Sequence, residues 1–174
     1  MPTLALTRLV DSSPNTHFLP SVCSLTSTRK SLYTDPERTL TLTSQMRAID
    51  ITEPGGPEVL QAVSVPKPLP APDEVLIRNI AVGVNRPDCA QRQGNYNPPP
   101  DANPLPGLEV AGEIAAVGEA VTRWEAGDQV TALTHGGGYA EFTAVNEQHC
   151  LAWPAGFDAP LAAAIPENFF TVYY

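Results

Sequence analysis

Short runs in which apolar and polar residues alternate, separated by turns rich in proline and glycine, fill the chain from Met46 onward. Alternation with a period of two is typical of strands that bury one face. The pattern predicts strands at residues 46–52, 59–65, 73–84, 110–117, 129–134 and 139–146. The 19 prolines and 12 glycines interrupt helices but suit short strands and turns. We therefore expect a mainly β domain with short helices.

Helical patterning is confined to three short stretches. Residues 87–93 form the first, and Gly94 stands where helices commonly end. Residues 159–164 form the second, and Pro166 suits the first turn of a third. That third helix would have nine residues and would leave the apolar side chains of residues 169–174 uncovered. We therefore expect the protein to continue beyond this sequence.

The first 45 residues have no lasting period. They contain sixteen Ser or Thr residues and too little apolar surface to offset the entropy of ordering. We expect a disordered tail, or a stretch upstream of a natural start at Met46. An organelle transit peptide is a third interpretation, because Ser and Arg are present and acidic residues are few. The stretch lacks the apolar segment of a secretory signal.

Composition excludes several classes of function. The net charge of −9 disfavours a nucleic-acid or anionic-membrane partner, and no apolar run is long enough to cross a bilayer. The three cysteines are Cys23, Cys89 and Cys150, which are too scattered for a disulfide framework or a zinc site. A reducing compartment, the cytoplasm, is the expected location.

Eight segments, each weak alone, occur together in a specific order. They are MRAI at 46–49, EPGGPE at 53–58, AVGVNRPD at 81–88, QRQGNY at 91–96, PGLEVAG at 106–112, WEAGD at 124–128, GGGYAE at 136–141 and AAAIPE at 162–167. In this order they resemble the quinone-oxidoreductase branch of the medium-chain dehydrogenase/reductase superfamily, which includes zeta-crystallin-like and p53-inducible quinone reductases. The resemblance covers residues 46–174.

The resemblance implies a GroES-like, partly open β-barrel over residues 46–165, truncated before a Rossmann lobe. Residues 166–174 would then begin the helix that leads to the missing nucleotide-binding domain. The glycine-rich run at 136–138 lies between predicted strands and does not open a helix, so it lacks the context of a phosphate-binding turn. A homodimer is expected only for a full-length form.

The resemblance also bears on metal binding. Zinc-dependent members of the superfamily place a Cys and a His where this chain has Asn85 and Leu108. An amide oxygen is a poor zinc ligand, and a leucine side chain offers no ligand atom. We therefore expect no metal.

A reaction without metal must rely on the cofactor. The resemblance implies hydride transfer from NADPH to a quinone or an α,β-unsaturated carbonyl, with the protein positioning the reactants. Tyr96 and Asn85 are the candidate catalytic residues. The Tyr96 phenol either donates a hydrogen bond to the acceptor or packs under the proline-rich loop. Asn85 either faces the nicotinamide or closes a strand.

Further cofactor contacts are implied at Arg86, Pro87, Asp88 and Thr171, besides Asn85. Asp88 has an alternative role in capping the helix that starts near it. Glu109 either orients the cleft or is a satisfied internal carboxylate. Two other functions remain open at this stage: an enoyl thioester reductase of the same superfamily, and a GroES-like interaction module without catalysis.

Overall fold

Seven strands and three α-helices make up the part of the chain that the computed structural model describes, residues 44–173. The predicted tail at residues 1–45 lies outside the described residues, except for its last two. The strands are β1 (Gln45–Ile51), β2 (Leu60–Pro66), β3 (Glu74–Val82), β4 (Glu109–Val117), β5 (Gln129–Leu133), β6 (Phe142–Asn146) and β7 (Cys150–Ala152). The helices are α1 (Arg86–Arg92), α2 (Ala159–Ala163) and α3 (Pro166–Tyr173). The prediction of a mainly β fold with short helices is confirmed.

The strands form one five-stranded antiparallel sheet and one hairpin. The sheet has the order β6-β3-β4-β5-β7, and β1 pairs with β2 in the hairpin. The segment before β6 connects the two, since the Ile49 N–H donates to the Tyr139 carbonyl at 2.8 Å and the Glu141 N–H donates to the Arg47 carbonyl at 3.0 Å. Hairpin and sheet do not close into a complete barrel. This agrees with the expected GroES-like, partly open barrel.

The core lies on the inner face of the sheet. Its fully buried side chains are those expected from the alternating pattern, joined by a cysteine from β7: Val75, Ile77, Val110, Ile114, Val130, Ala132, Val145 and Cys150. Helix α2 packs its alanines, Ala162 and Ala163, on Ala111 of β4. The buried Thr131 hydroxyl contacts the Ala162 carbonyl at 2.6 Å, which ties α2 to the sheet. The small side chains allow this close approach of helix and sheet.

The observed elements differ from the predicted ones in two places. Residues 139–141 were expected to belong to β6, but the chain turns at Gly136 and Gly137, which have φ of +80° and +79°. After that turn, residues 139–141 bond to the hairpin and β6 begins only at Phe142. The three-residue strand β7 was not predicted, because it is too short to show a period. Helix α1 and the Pro166 start of α3 agree with prediction to within one residue.

Within residues 44–173, no helix combines the length and the apolar character needed to span a bilayer.

Candidate active site

The junction between β3 and α1 brings together four of the predicted site residues, Asn85 to Asp88. Asn85 precedes the first turn of α1, and Pro87 lies in that turn, where its missing N–H costs nothing. The Asn85 backbone N–H donates to the Asp88 Oδ2 at 2.8 Å. The predicted capping role of Asp88 is therefore present, while Arg86 is exposed beside it.

The Asp88 carboxylate is buried and accepts hydrogen bonds from three segments of the chain. The residue is 4% exposed. Besides Asn85, the Gly107 N–H donates to its Oδ1 at 3.2 Å and the Tyr139 hydroxyl donates to its Oδ2 at 3.2 Å. Burial and then the negative charge of Asp88 raise the pKa of Tyr139, which keeps the phenol protonated as a donor. A contact between Asp88 and a cofactor stays a prediction.

Glu109, the first residue of β4, joins this junction to α3. It is 1% exposed, and its two carboxylate oxygens accept from two different segments. The Asn85 side-chain amide donates to Oε1 at 2.9 Å, and the Glu167 backbone N–H donates to Oε2 at 2.9 Å. Burial and the charges of Glu109 and Asp88 raise the pKa of the Glu167 side chain. The start of α3 is thereby held beside the residues that precede α1.

Tyr96 lies past the other end of α1, next to the proline-rich loop. It is 39% exposed and lines a small cavity of about 70 Å³ together with Leu108, Asn103 and His135. Among the described residues, none accepts a hydrogen bond from the Tyr96 phenol. Leu108, which lines this cavity, directly precedes Glu109 of the junction in the chain.

Thr171 is exposed on α3, the helix whose first turn is bonded to Glu109. The structure thus places Asn85, Arg86, Pro87 and Asp88 in one junction and links the helix that carries Thr171 to it. The roles of these residues and of Tyr96 stay predictions. A satisfied internal carboxylate was one of the two interpretations of Glu109, but its partners were not identified from the sequence, and the hydrogen bond of Tyr139 was not anticipated. A charged residue inside the apolar run PGLEVAG was the available signal for Glu109.

A second, larger groove of about 490 Å³ separates the hairpin from the end of β3. Its lining is mostly apolar and includes the exposed side chains of Ile80, Val82 and Val84. At its floor the Asn79 amide nitrogen donates to the Ala140 carbonyl at 2.8 Å, while the buried Asn79 Oδ1 has no partner among the described residues. None of the predicted site residues lines this groove.

The described residues contain no cluster of three or more His, Cys, Asp or Glu side chains that could hold a metal ion. At the two positions discussed for zinc, the Asn85 amide is bonded to Glu109 and Leu108 is partly buried beside the Tyr96 cavity. The expectation that the working protein uses no metal stays a prediction.

Comparison with known proteins identifies the fold. The sequence pattern of the alcohol dehydrogenase GroES-like domain matches residues 71–155. A quinone oxidoreductase from Lama guanicoe is 44% identical over 130 residues, which are 74% of this chain and 39% of that protein. The human synaptic vesicle membrane protein VAT-1 homolog-like protein superposes with a TM-score of 0.70 at 34% identity, over 75% of this chain and 42% of that one.

A mycobacterial protein solved in complex with NADPH has a TM-score of 0.63 at 37% identity, over 74% of this chain and 39% of that one. The fold and these similarities therefore define a GroES-like domain of the medium-chain dehydrogenase/reductase superfamily. Within that superfamily the chain belongs to the quinone-oxidoreductase branch. It spans about two fifths of the length of the curated relatives it matches.

Proposed function

We propose that this chain is the substrate-side part of an oxidoreductase that transfers a hydride from NADPH to a quinone or an α,β-unsaturated carbonyl without a metal. The observation that carries the proposal is the junction at Asn85, which the Glu109 carboxylate holds next to the start of α3. The Tyr96 phenol lies past the other end of α1, beside a small cavity. The similarity to quinone oxidoreductases and to a protein that binds NADPH supports this reaction class.

The side chains present suit a nicotinamide nucleotide. The Asn85 amide uses one N–H on Glu109 and keeps a second N–H for a ligand. The exposed Arg86 guanidinium and the exposed Thr171 hydroxyl add a cation and a donor–acceptor group. A reduced nicotinamide supplies the hydride when it is bound. Asn85 and Thr171 would hold its carboxamide and ribose, and the cofactor's phosphates would need contacts beyond those of this chain.

Tyr96 would act on the acceptor rather than on the cofactor. A conjugated carbonyl gains negative charge on its oxygen as hydride arrives, and a positioned phenol stabilises that oxygen by donating a hydrogen bond. The cavity at Tyr96 is lined by Leu108 and by loop residues, which would exclude water from one side of the acceptor. Asn103 and His135 in the same lining offer further polar contacts.

We also propose the kind of substrate, the partners and the location of the protein. The substrate is a small molecule, and the protein binds neither nucleic acid nor membrane. We place the protein in the cytoplasm and expect a homodimer only for a form with the full length of its relatives.

A chimera tests the function directly. This chain is joined to the remaining three fifths of the Lama guanicoe quinone oxidoreductase, and NADPH oxidation is followed with 1,4-benzoquinone as acceptor. We expect the chimera to reduce the quinone and to keep its rate after treatment with a chelator, whereas the chain alone does not bind NADPH measurably. Tight binding of NADPH by the chain alone would show that the cofactor site has been misplaced.

The role of Tyr96 is tested in the same chimera. We expect Tyr96→Phe to lower kcat by about tenfold or more, as loss of a hydrogen bond to a developing oxyanion does. Tyr173→Phe, at an exposed tyrosine of α3, is the matched control and is expected to leave kcat unchanged. Equal rates for both variants would remove Tyr96 from the mechanism.

A further inference from the structure

Glu109 is a buried carboxylate that has no cationic partner among the described residues. The ion pairs in residues 44–173 involve Arg47, Arg78 and His135, and none of them includes Glu109. A buried charge without a counter-ion is costly, and well-packed apolar residues often stabilise a fold better than buried charges do. A contribution to stability is therefore a weak reason for a carboxylate at this position.

The hydrogen bonds of Glu109 require a carboxylate in particular. Asn85 donates to one oxygen and the Glu167 backbone N–H donates to the other. A carboxylate offers an acceptor at both oxygens. A glutamine of the same shape has one acceptor and one NH₂ group, so it must lose one of the two bonds.

The fold also leaves room for this carboxylate. Gly83 lies beside it, and a Cβ added at Gly83 would overlap the Glu109 side chain. The Gly83 N–H donates to the Glu109 backbone carbonyl at 3.1 Å, which keeps the two segments in contact. Backbone and side chain of Glu109 thus both fasten β4 to the segment that leads to Asn85.

We infer that Glu109 is a positioning residue of the proposed reaction, which clasps the Asn85 amide and the first turn of α3 with one carboxylate. The three segments are distant in sequence, since 24 residues separate Asn85 from Glu109 and 58 separate Glu109 from Glu167. Without these two hydrogen bonds, Asn85 and the helix that carries Thr171 would no longer be held in fixed positions relative to each other. The functional part of this inference rests on the proposed function, whereas the clasp itself is a property of the chain.

The clasp is tested by amide hydrogen exchange in the 174-residue chain. N–H groups in the first turn of a helix have no acceptor within the helix, so protection of the Glu167 amide reports on Glu109 directly. We expect Glu109→Gln to speed exchange at Glu167, or to shift the Asn85 side-chain NH₂ resonances, with an exchange change of about tenfold where that bond is lost. Glu113→Gln, at an exposed position of the same strand, is the matched control and is expected to change neither signal.

Unchanged signals at both Glu167 and Asn85 in Glu109→Gln would overturn the clasp. If that variant does not fold, Asn85→Ala replaces it, because removal of one donor leaves the carboxylate and is expected to shift the Glu167 amide resonance. An unmoved Glu167 resonance in Asn85→Ala would also overturn the clasp.

The positioning role is tested in the chimera with the same pair of variants. We expect Glu109→Gln to raise KM for NADPH or lower kcat by about tenfold while the thermal unfolding midpoint stays near that of Glu113→Gln. Altered exchange at Glu167 with unaltered kinetics would overturn the positioning role. An unmodified chimera that reduces no quinone would contradict the proposed function, and the exchange experiment would still decide the clasp.

Discussion

At the scale of single residues, the two cysteines of the described part of the chain occupy opposite environments. Cys150, in β7, is fully buried in the core, and burial raises the pKa of its thiol to about 12. Cys89, in α1, is exposed. Since the thiolate is the reactive form, Cys150 is protected both by its position and by its protonation.

This contrast predicts selective alkylation. In a Cys23→Ser variant treated with iodoacetamide near pH 8, we expect Cys89 to be modified and Cys150 to be modified only after denaturation. Mass spectrometry of peptides from native and denatured samples measures both. Equal labelling of Cys89 and Cys150 in the native sample would contradict the buried position of β7.

Sequence separation between single residues limited how much of the site could be predicted. Asn85 to Asp88 could be placed together from sequence, because they are consecutive and lie at the start of a helix that has a recognisable end at Gly94. The donors to the Asp88 carboxylate could not, since Gly107 and Tyr139 are 19 and 51 residues away. A carboxylate's neighbours depend on how strands are arranged, which local patterns do not contain.

At the scale of elements, one exposed ion pair adds to the backbone hydrogen bonds that attach the hairpin to the sheet. The Glu141 carboxylate accepts from the Arg47 backbone N–H at 2.8 Å and from the Arg47 guanidinium at 2.7 Å. The backbone hydrogen bond, followed by the guanidinium contact, lowers the pKa of Glu141 below its usual value of 4.5. The pair is open to solvent, so its contribution is screened by salt.

The lowered pKa of Glu141 predicts that the stability of the fold depends on pH. A carboxylate whose folded-state pKa is lowered stabilises the fold above its unfolded pKa, and the stabilisation is lost as pH falls below about 4.5 and through the folded pKa. We expect the unfolding midpoint of the wild-type chain to fall more steeply than that of Glu141→Gln between about pH 6 and about pH 3. Thermal unfolding followed by circular dichroism measures this, with Glu125→Gln, at an exposed turn, as the control. Parallel curves for wild type and Glu141→Gln would exclude the contribution.

Strands and helices were largely predictable because their signals are local. Alternation located six of the seven strands of the described region, and the proline at Pro166 located the start of α3. The extent of β6 was predicted wrongly because residues 139–141 alternate like a strand but bond to the hairpin instead. The hydrogen-bond partners that the fold offers to a segment therefore outweigh its local preference for a strand.

At the scale of the whole molecule, helix α3 presents an uncovered apolar surface. Phe169 is 65% exposed, Val172 is 88% exposed and Tyr173 is 95% exposed. Contiguous apolar surface of this kind favours association in water. The chain spans about two fifths of the length of its curated relatives, and nothing within residues 44–173 covers this helix face.

We expect the 174-residue chain to self-associate as its concentration rises. Val172→Asp combined with Phe169→Asp should reduce association, because two charges would interrupt the apolar surface. Thr171→Asp adds a charge at a polar position of the same helix and should reduce it less. Sedimentation velocity measures the three proteins, and a wild-type chain that stays monomeric throughout would contradict the expectation.

The sequence by itself determined the class of fold, the position of most elements and the superfamily, because alternation, turn residues and short ordered motifs are all local signals. The tertiary structure alone decided that Glu109 holds Asn85 and the start of α3 and that Asp88 accepts from Gly107 and Tyr139. It also decided that the Tyr139 carbonyl bonds to the hairpin instead of extending β6. These contacts join residues that are far apart in the chain. A buried polar group must find its partner wherever folding brings one, so which residues meet is decided by packing and hydrogen bonding in three dimensions.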